Sequence, residues 1–316
     1  MKKFTSVDDI SDPMGLAREA LEIKKQPMAT KDLGKGLTLG LIFMNPSLRT
    51  RLSTQKAAQN LGMDVMVMNV GTEGWLLETE EGVIMEGDKA EHVKDAAAVI
   101  GQYCDIVGLR SFPDLQNREQ DYSDKMLKAF VKYSGRPVIS LESAVYHPLQ
   151  SLADLMTIEE LKQKEKPKVV MTWAPHVKAL PQSVPNSFAQ WVNQTEYEFV
   201  IANPEEYDLS KEIIGDATIE HDQTKALVGA DFVYAKNWSS YHKYGKMHSY
   251  YRTWTIDKAK MGLTNEAKFM HCLPVRRNLV VSEDVLDSKQ SVVIQQAGNR
   301  EFSAQAVLKR IIDGMG

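Results

Sequence analysis

Four short segments of this chain gather residue types that could do chemistry. The first is Asn45-Pro46-Ser47-Leu48-Arg49-Thr50-Arg51, where a strand-like run gives way to a helical one. A helix N-terminus offers unpaired backbone N–H groups and the positive end of the peptide dipoles. Ser47 and Thr50 add hydroxyl donors, and Arg49 and Arg51 add full positive charges at the end where the dipole disfavours cations. Either an anion such as a phosphate sits there, or Ser47 caps a helix and the two arginines are solvated. The second segment is Arg110, directly after the run Asp105–Leu109. It either faces a ligand at a strand's carboxyl end or opens a surface loop. In the third, His147-Pro148-Leu149-Gln150, His147 and Gln150 could donate to one carbonyl oxygen, or His147 could be a hydrogen-bonded structural residue. The fourth is His271-Cys272-Leu273-Pro274, followed by Val275-Arg276-Arg277-Asn278. Cys272 could be a small buried hydrophobe, but adjacent arginines beyond a strand end are harder to explain as packing.

All four must be held by strand ends. Apolar runs at Leu37–Phe43, Asp64–Asn69, Asp105–Leu109 and Pro137–Leu141 read as strands. Helical patterns lie around Leu52–Leu61, Glu91–Tyr103 and Ser123–Tyr133, with Gly62 as a helix stop. The first helix is announced by Ser11-Asp12-Pro13, a cap followed by Pro in the first turn. A second series follows Leu149: helix Ser151–Lys164, strands Lys168–Trp173, Glu198–Ala202, Asp231–Ala235 and Lys268–Met270, and a last helix Glu301–Met315. Strands alternating with helices imply βαβ units and parallel sheets. The expected fold class is α/β, with two domains joined near residue 150. Each motif then lies at the carboxyl end of a strand, so the four can converge on one cleft.

Composition narrows the function. The 316 residues suit two domains, and Lys plus Arg at 38 against Asp plus Glu at 42 argues against a dedicated nucleic-acid binder. No apolar run approaches the roughly 18 residues that would span a bilayer, so no membrane partner is expected. Met1–Phe4 is followed by Asp8 and Asp9 before any apolar run, so no signal peptide is expected and the expected compartment is cytoplasmic. Two distant cysteines, Cys104 and Cys272, make neither a disulfide framework nor a zinc knuckle. The motifs supply cations and hydroxyls but no metal-ligand cluster and no nucleophile–base pair. That suits a small phosphate compound whose own chemistry needs only positioning and charge stabilisation.

Ser47-Leu48-Arg49-Thr50-Arg51, His147-Pro148-Leu149-Gln150 and His271-Cys272-Leu273-Pro274 resemble, in order and spacing, the Ser-x-Arg-Thr-Arg, His-Pro-x-Gln and His-Cys-Leu-Pro signatures of the transcarbamylases. The resemblance covers essentially the whole chain. It implies two doubly wound parallel-sheet domains of the transcarbamylase type. Residues 1-149 would bind carbamoyl phosphate and 150-316 an amine substrate, with a C-terminal helix of about 300-316 returning to the first domain. It also implies a homotrimer with shared active sites, and a knotted backbone threaded through a loop matching Lys178–Pro185. By the same resemblance, Ser47, Leu48, Arg49, Thr50 and Arg51 hold the phosphate. Arg110, His147 and Gln150 hold the carbamoyl oxygen and nitrogen, Thr50 supports the oxygen, and Cys272 and Leu273 present backbone carbonyls. No metal and no organic cofactor is implied.

One departure points to a branch of the family. Ornithine transcarbamylases carry an acid after the strand matching Asp231–Ala235, whereas this chain has Lys236. A lysine repels an α-ammonium and suits an acylated, net-negative substrate. Agreement at Thr172–His176, Pro185–Ser187 and Val275–Asn278 resembles the N-acylornithine transcarbamylases, of the N-succinylornithine branch and its N-acetylornithine relatives, which implies arginine biosynthesis. In that branch Glu142, His176 and Lys236 would contact the acylornithine and Arg276 both substrates. Trp75 would enter from a neighbouring subunit on the glycine-flanked loop Gly71–Gly87. Taken alone, Glu142 would be a solvated strand-end acid and Trp75 a core or interface anchor. The acetyl enzymes place Glu, and the succinyl enzymes a proline, at the position of Ala90. An open, uncharged Ala90, with Arg276, Arg277 and Lys236 to offset a second carboxylate, favours the succinyl substrate. The rivals are N-acetylornithine as acceptor, a nucleotide-dependent oxidoreductase, and an inactive binding protein of similar fold. No G-x-G-x-x-G follows the first strand, which tells against the oxidoreductase.

Overall fold

The computed structural model describes residues 1–247 and 252–315. The chain divides into two compact units. The first comprises Met1–Asp114, Glu119–Leu149 and the chain from Arg300 onward; the second comprises Leu115–Arg118 and Gln150–Asn299.

In the first unit the strands are β1 (Lys3–Phe4), β2 (Thr38–Phe43), β3 (Asp64–Asn69), β4 (Leu77–Glu78), β5 (Glu91–His92), β6 (Ile106–Arg110) and β7 (Val138–Glu142). The helices are α1 (Pro13–Lys25), α2 (Arg49–Asn60), α3 (Val70–Glu73), α4 (Val93–Tyr103), α5 (Arg118–Tyr122) and α6 (Lys125–Tyr133). Five strands form one parallel sheet in the order β1-β7-β6-β2-β3. The chain fills it from β2 outward to β3, then reverses to β6 and β7. Right-handed crossovers in opposite directions place helices on opposite faces, so β2 and β7 are buried along nearly their whole length. Each buried Leu, Ile or Phe there contributes roughly 1.5–3 kcal/mol. The edge strand β3 instead alternates exposed and half-buried residues. Gly40 is required inside β2, because an added Cβ would lie 2.5 Å from the Cys104 sulfur. Gly62 ends α2 with φ +79, and its Cβ would strike the Lys31 carbonyl at 2.1 Å.

In the second unit the elements are α7 (Pro148–Leu161), β8 (Lys168–Trp173), α8 (Ser183–Val192), β9 (Glu198–Ala202), α9 (Lys211–Ile214), β10 (Thr218–Glu220), α10 (Gln223–Leu227), β11 (Phe232–Lys236), α11 (Lys258–Met261), β12 (Lys268–Met270), α12 (Glu283–Leu286) and α13 (Val293–Asp313). Its parallel sheet runs β10-β9-β8-β11-β12. It repeats the design: β8 leads outward to β9 and β10, and the chain then reverses to β11 and β12. The boundary between the units falls within α7, after Leu149, and within α13, after Asn299. The α/β class and the two doubly wound sheets agree with expectation.

Several boundaries differ from the sequence reading, a number of them at chemistry-bearing ends. The helix expected from Leu52 starts at Arg49, and the one expected from Ser151 starts at Pro148, which occupies the first helical position that suits its fixed φ. Arg110, Glu142 and Lys236 are the last residues of strands rather than loop residues. The final helix starts at Val293 instead of Glu301. The short strands β1 and β10 and the β4–β5 pair were not expected. Among the described residues no helix is long and apolar enough to cross a membrane.

Candidate active site

In open α/β sheets, ligands bind beyond the strand carboxyl ends where the strand order reverses. In the first unit that point lies between β2 and β6, where Phe43 pairs with Arg110. The chain leaving β2 becomes Asn45–Arg51. Asn45 Oδ1 accepts from Phe112 N at 2.8 Å, joining this loop to the one after β6. Leu48 stands at the N-cap of α2, is 67% exposed, and gives the helix no side-chain cap. The first turn therefore carries Arg49, Thr50 and Arg51 with no acidic residue. Thr50 is 2% exposed, and its hydroxyl accepts from Arg300 Nη2 at 2.9 Å, a partner that no sequence motif points to.

Arg110 is set by a register shift. Leu109 pairs with Ser140, but Arg110 pairs with Glu142, so a bulge brings the guanidinium opposite the carboxylate. Arg110 Nη2 lies 3.2 Å from Glu142 Oε2, and His147 Nε2 lies 3.7 Å from the same oxygen. Phe112 stacks under the guanidinium, its ring centroid 4.9 Å away. Arg110 Nε is buried without a hydrogen-bond partner, so donor capacity remains at this point. Glu142 is 7% exposed, which corrects the picture of a solvated acid. A buried carboxylate needs such partners, since desolvation otherwise costs several kcal/mol.

Trp75 lies between α3 and β4, is 58% exposed, and donates through Nε1 to Glu91 Oε2 at 2.8 Å. The β4–β5 pairing, Leu77 with Glu91 and Glu78 with His92, closes the loop of residues 79–90 and sets Glu91 alongside the segment that carries Trp75. Ala90 lies beside Glu91 at the rim of this loop and is exposed.

The second unit reverses between β8 and β11, where Trp173 pairs with Lys236. Lys236 is 8% exposed and donates to the Asn237 carbonyl at 3.0 Å. His176, just beyond β8, accepts at Nε2 from Arg276 Nε at 3.3 Å. Burial pushes its imidazole below the ordinary histidine range. A backbone hydrogen bond with Lys178 works against that, and the charges of Lys236, Arg276 and Lys178 add to it. His176 and Lys236 are thus brought together with Arg276, and an adjoining pocket is lined by Trp173, Pro175, Asn237 and Met247. Arg277, expected to help offset a second carboxylate, is instead engaged in a bidentate pair with Asp287 at 2.8 and 2.9 Å.

Gln150 and the His271–Pro274 turn share a buried hub absent from the sequence reading. Asp154 Oδ1 accepts from Gln150 Nε2 at 2.7 Å and from Gln296 Nε2 at 2.6 Å. Gln296 Oε1 in turn takes the His271 N–H at 2.9 Å. His271 Nδ1 accepts from Leu273 N at 2.8 Å, which fixes the turn holding Cys272 and Leu273. The i, i+4 spacing of Gln150 and Asp154 was the available signal. Burial raises the Tyr234 phenol well above its ordinary value, and Asp154 and Cys272 add to the effect. Among the described residues, no group of three or more His, Cys, Asp or Glu is arranged for a metal ion.

Both switch points thus carry cationic side chains, Arg110 in the first unit and Lys236 with Arg276 in the second, the residue types that a transferase acting on a phosphate compound and an acidic acceptor needs. The family described as aspartate/ornithine carbamoyltransferase, carbamoyl-P binding domain, matches residues 2–160, and its Asp/Orn binding domain matches residues 180–311. The chain belongs to the aspartate/ornithine carbamoyltransferase family and is a carbamoyltransferase. It is 56% identical to the N-succinylornithine carbamoyltransferase of Bacteroides thetaiotaomicron, over 100% of both chains. It is 33% identical to the N-acetylornithine carbamoyltransferase of Xanthomonas axonopodis pv. citri, over 100% of this chain and 98% of the other. A crystal structure of an N-acetyl-L-ornithine transcarbamylase glutamate-to-alanine mutant, complexed with carbamyl phosphate and N-succinyl-L-norvaline, superposes with a TM-score of 0.93. It is 33% identical and covers 98% of this chain and 100% of its own.

Proposed function

We propose that this protein transfers the carbamoyl group of carbamoyl phosphate to the δ-amine of N-succinylornithine, giving N-succinylcitrulline and phosphate. The observation that carries the reading is the cationic end of the second sheet. Lys236, Arg276 and Lys178 surround a His176 imidazole held toward its neutral form, and N-succinylornithine brings two carboxylates and no α-ammonium. The identity of 56% to an N-succinylornithine carbamoyltransferase, against 33% to an N-acetylornithine enzyme, supports the same choice. So does Ala90 in place of the glutamate that the resemblance assigns to acetyl enzymes. N-acetyl-L-ornithine transcarbamylases with a glutamate replaced by alanine, valine, proline or serine are complexed with N-succinyl-L-norvaline.

In this scheme the δ-amine lone pair forms the new C–N bond while the carbonyl π pair moves onto oxygen. Arg110, His147 and Thr50 stabilise that oxygen, and Gln150 with the carbonyls of Cys272 and Leu273 orients the carbamoyl nitrogen. Collapse breaks the C–O bond to phosphate, which leaves with the electron pair onto Ser47, the Leu48 backbone, Arg49, Thr50 and Arg51, and the nitrogen gives up a proton to the departing phosphate. Glu142, His176, Lys236 and Arg276 hold the acceptor, with Trp75 and Ala90 near its acyl group. The proposal extends to a homotrimer with Trp75 shared between subunits, a knotted loop at 178–185, and a cytoplasmic role in arginine biosynthesis. An assay panel comparing ornithine, N-acetylornithine and N-succinylornithine tests it. The succinyl compound should give the highest kcat/KM, and efficient use of free ornithine would sink the reading. N-acetylornithine stays as a second reading because Arg277 is taken up by Asp287 and adds nothing for a second carboxylate.

A further inference from the structure

Asp124 stands out by three unrelated features. It is the N-cap residue of α6, yet its side chain makes no cap hydrogen bond, although capping is the usual work of an N-cap aspartate. Its backbone is left-handed at φ 47, where a non-glycine residue is strained. Burial pushes its carboxyl up to about 6, against hydrogen bonds from Ser143 and Ala144 that lower it. The carboxylate therefore destabilises the folded chain when ionised, because the unfolded chain holds it at its ordinary value of 3.8. Strained backbone and an ill-placed charge persist where the surroundings use them.

The side chain reaches instead to the turn between β7 and α7. Oδ2 accepts from the Ser143 hydroxyl at 2.6 Å, and Oδ1 accepts from Ala144 N at 3.2 Å. Ser143 Oγ in turn accepts from Val145 N and Tyr146 N, each at 3.2 Å, and Ser143 N donates to the Tyr146 carbonyl at 2.8 Å. This turn, Ser143 to Tyr146, is the whole connection between Glu142 and His147, whose side chains meet at Glu142 Oε2 together with Arg110. We propose that Asp124 is a positioning residue for carbamoyl transfer: it clamps the Ser143–Tyr146 turn and so fixes His147 against Glu142 and Arg110. The inference rests on the function proposed above. The charged groups facing Asp124 are Lys128 and Asp121 from its own helices. Glu80 and Lys125 line the adjoining pocket and pair with each other. The clamped turn presents a hydroxyl and an amide N–H, and Arg110, Glu142 and His147 lie at its ends.

The test uses the isosteric Asp124→Asn, with Ser143→Ala as a second variant that removes the same link from the other side. In each, kcat should fall about ten- to a hundred-fold while KM for the acylornithine changes less than about threefold, since His147 acts on the carbamoyl group. The ratio of wild-type to Asp124→Asn kcat should narrow as pH falls through about 6, because protonation makes the wild type resemble the variant. A purely structural residue predicts a constant ratio, which would overturn the inference, as would unchanged kcat in a folded Ser143→Ala. Amide exchange at Ala144, Val145 and Tyr146 supplies a readout independent of substrate. If the wild type transfers to no acylornithine, the proposed function fails by itself. Unchanged protection of the three amides in Asp124→Asn then overturns the clamp, and faster exchange supports it.

Discussion

At the carboxyl end of β6 a positive charge has its counter-charge built in; at the carboxyl end of β11 the described residues pair it with none. Arg110 is held by Glu142 with His147 alongside, all largely buried. Lys236 instead donates to a backbone carbonyl and shares its surroundings with Arg276, Lys178 and a histidine pushed toward neutrality. The first arrangement is held by its own ion pair, which suits a group that must be aimed before reaction. The second is a set of like charges that an anionic substrate would relieve. Substitutions should therefore behave differently in the two places.

The largest effect is expected at Arg110. Arg110→Met takes the guanidinium partner away from the buried Glu142 carboxylate, which costs about 3–5 kcal/mol of stability. It should also lower kcat by roughly 10²–10³ through lost oxyanion stabilisation. Adding Glu142→Gln should recover most of the stability and none of the rate. Urea midpoints and carbamoyl-transfer kinetics read both; an Arg110→Met protein as stable as wild type would dissolve the built-in pair.

Lys236→Met should show the opposite balance. Stability should hold or rise, because a buried like charge is removed from around His176. The kcat/KM for the anionic acceptor should fall about ten- to a hundred-fold, the worth of one charge-assisted hydrogen bond of roughly 1.5–3 kcal/mol. Free ornithine should lose less, since its α-ammonium was repelled. A loss of stability matching that of Arg110→Met would erase the contrast between the sheets.

A smaller effect concerns pH. His176 sits below its ordinary value of 6.5, chiefly through burial. The unfolded chain then binds a proton that the folded chain refuses, so this group's contribution to stability is present above about pH 6.5 and lost as pH falls below it. His176→Gln should flatten that part of the curve. Denaturant midpoints between about pH 5 and 8 decide the matter, and identical slopes for variant and wild type would refute the assignment.

The sequence told of strand ends because parallel strands buried on both faces are continuous apolar runs, and Lys168–Trp173, Glu198–Ala202 and Lys268–Met270 match their strands to the residue, as does the half-exposed edge strand Asp64–Asn69. It was silent where geometry depends on a partner far along the chain. The two-residue β1 has no period of its own and exists by pairing with β7. The bulge that sets Arg110 opposite Glu142 leaves no mark in composition. Arg300 reaches Thr50 across 250 positions, and Asp124 reaches Ser143 across 19. Motif residues were visible; the residues that hold them were not, because a lone Asp or Arg on a helix has a solvated face as its ordinary explanation.

The smallest and sharpest effect is expected at Ala90, where substitution should change kcat/KM for one acceptor and not for the other. Ala90 is exposed at the rim of the loop closed by the β4–β5 pair, next to Glu91, which holds Trp75. No charge opposes a second carboxylate at Ala90 itself, whereas a glutamate there would meet the succinyl terminus with like charge. At an exposed rim the repulsion is screened, about 1 kcal/mol at 4 Å in water and more as the loop is covered. Ala90→Glu should therefore lower kcat/KM for N-succinylornithine about five- to fiftyfold and leave N-acetylornithine within about threefold. The preference would then reverse without change in the affinity for carbamoyl phosphate. Because Glu91 lies adjacent, the charge change should also loosen its bond to Trp75, visible as altered tryptophan fluorescence. A variant that keeps the wild-type preference would remove Ala90 from acyl selection and leave the Lys236 end of the second sheet as the place where the acceptor is chosen.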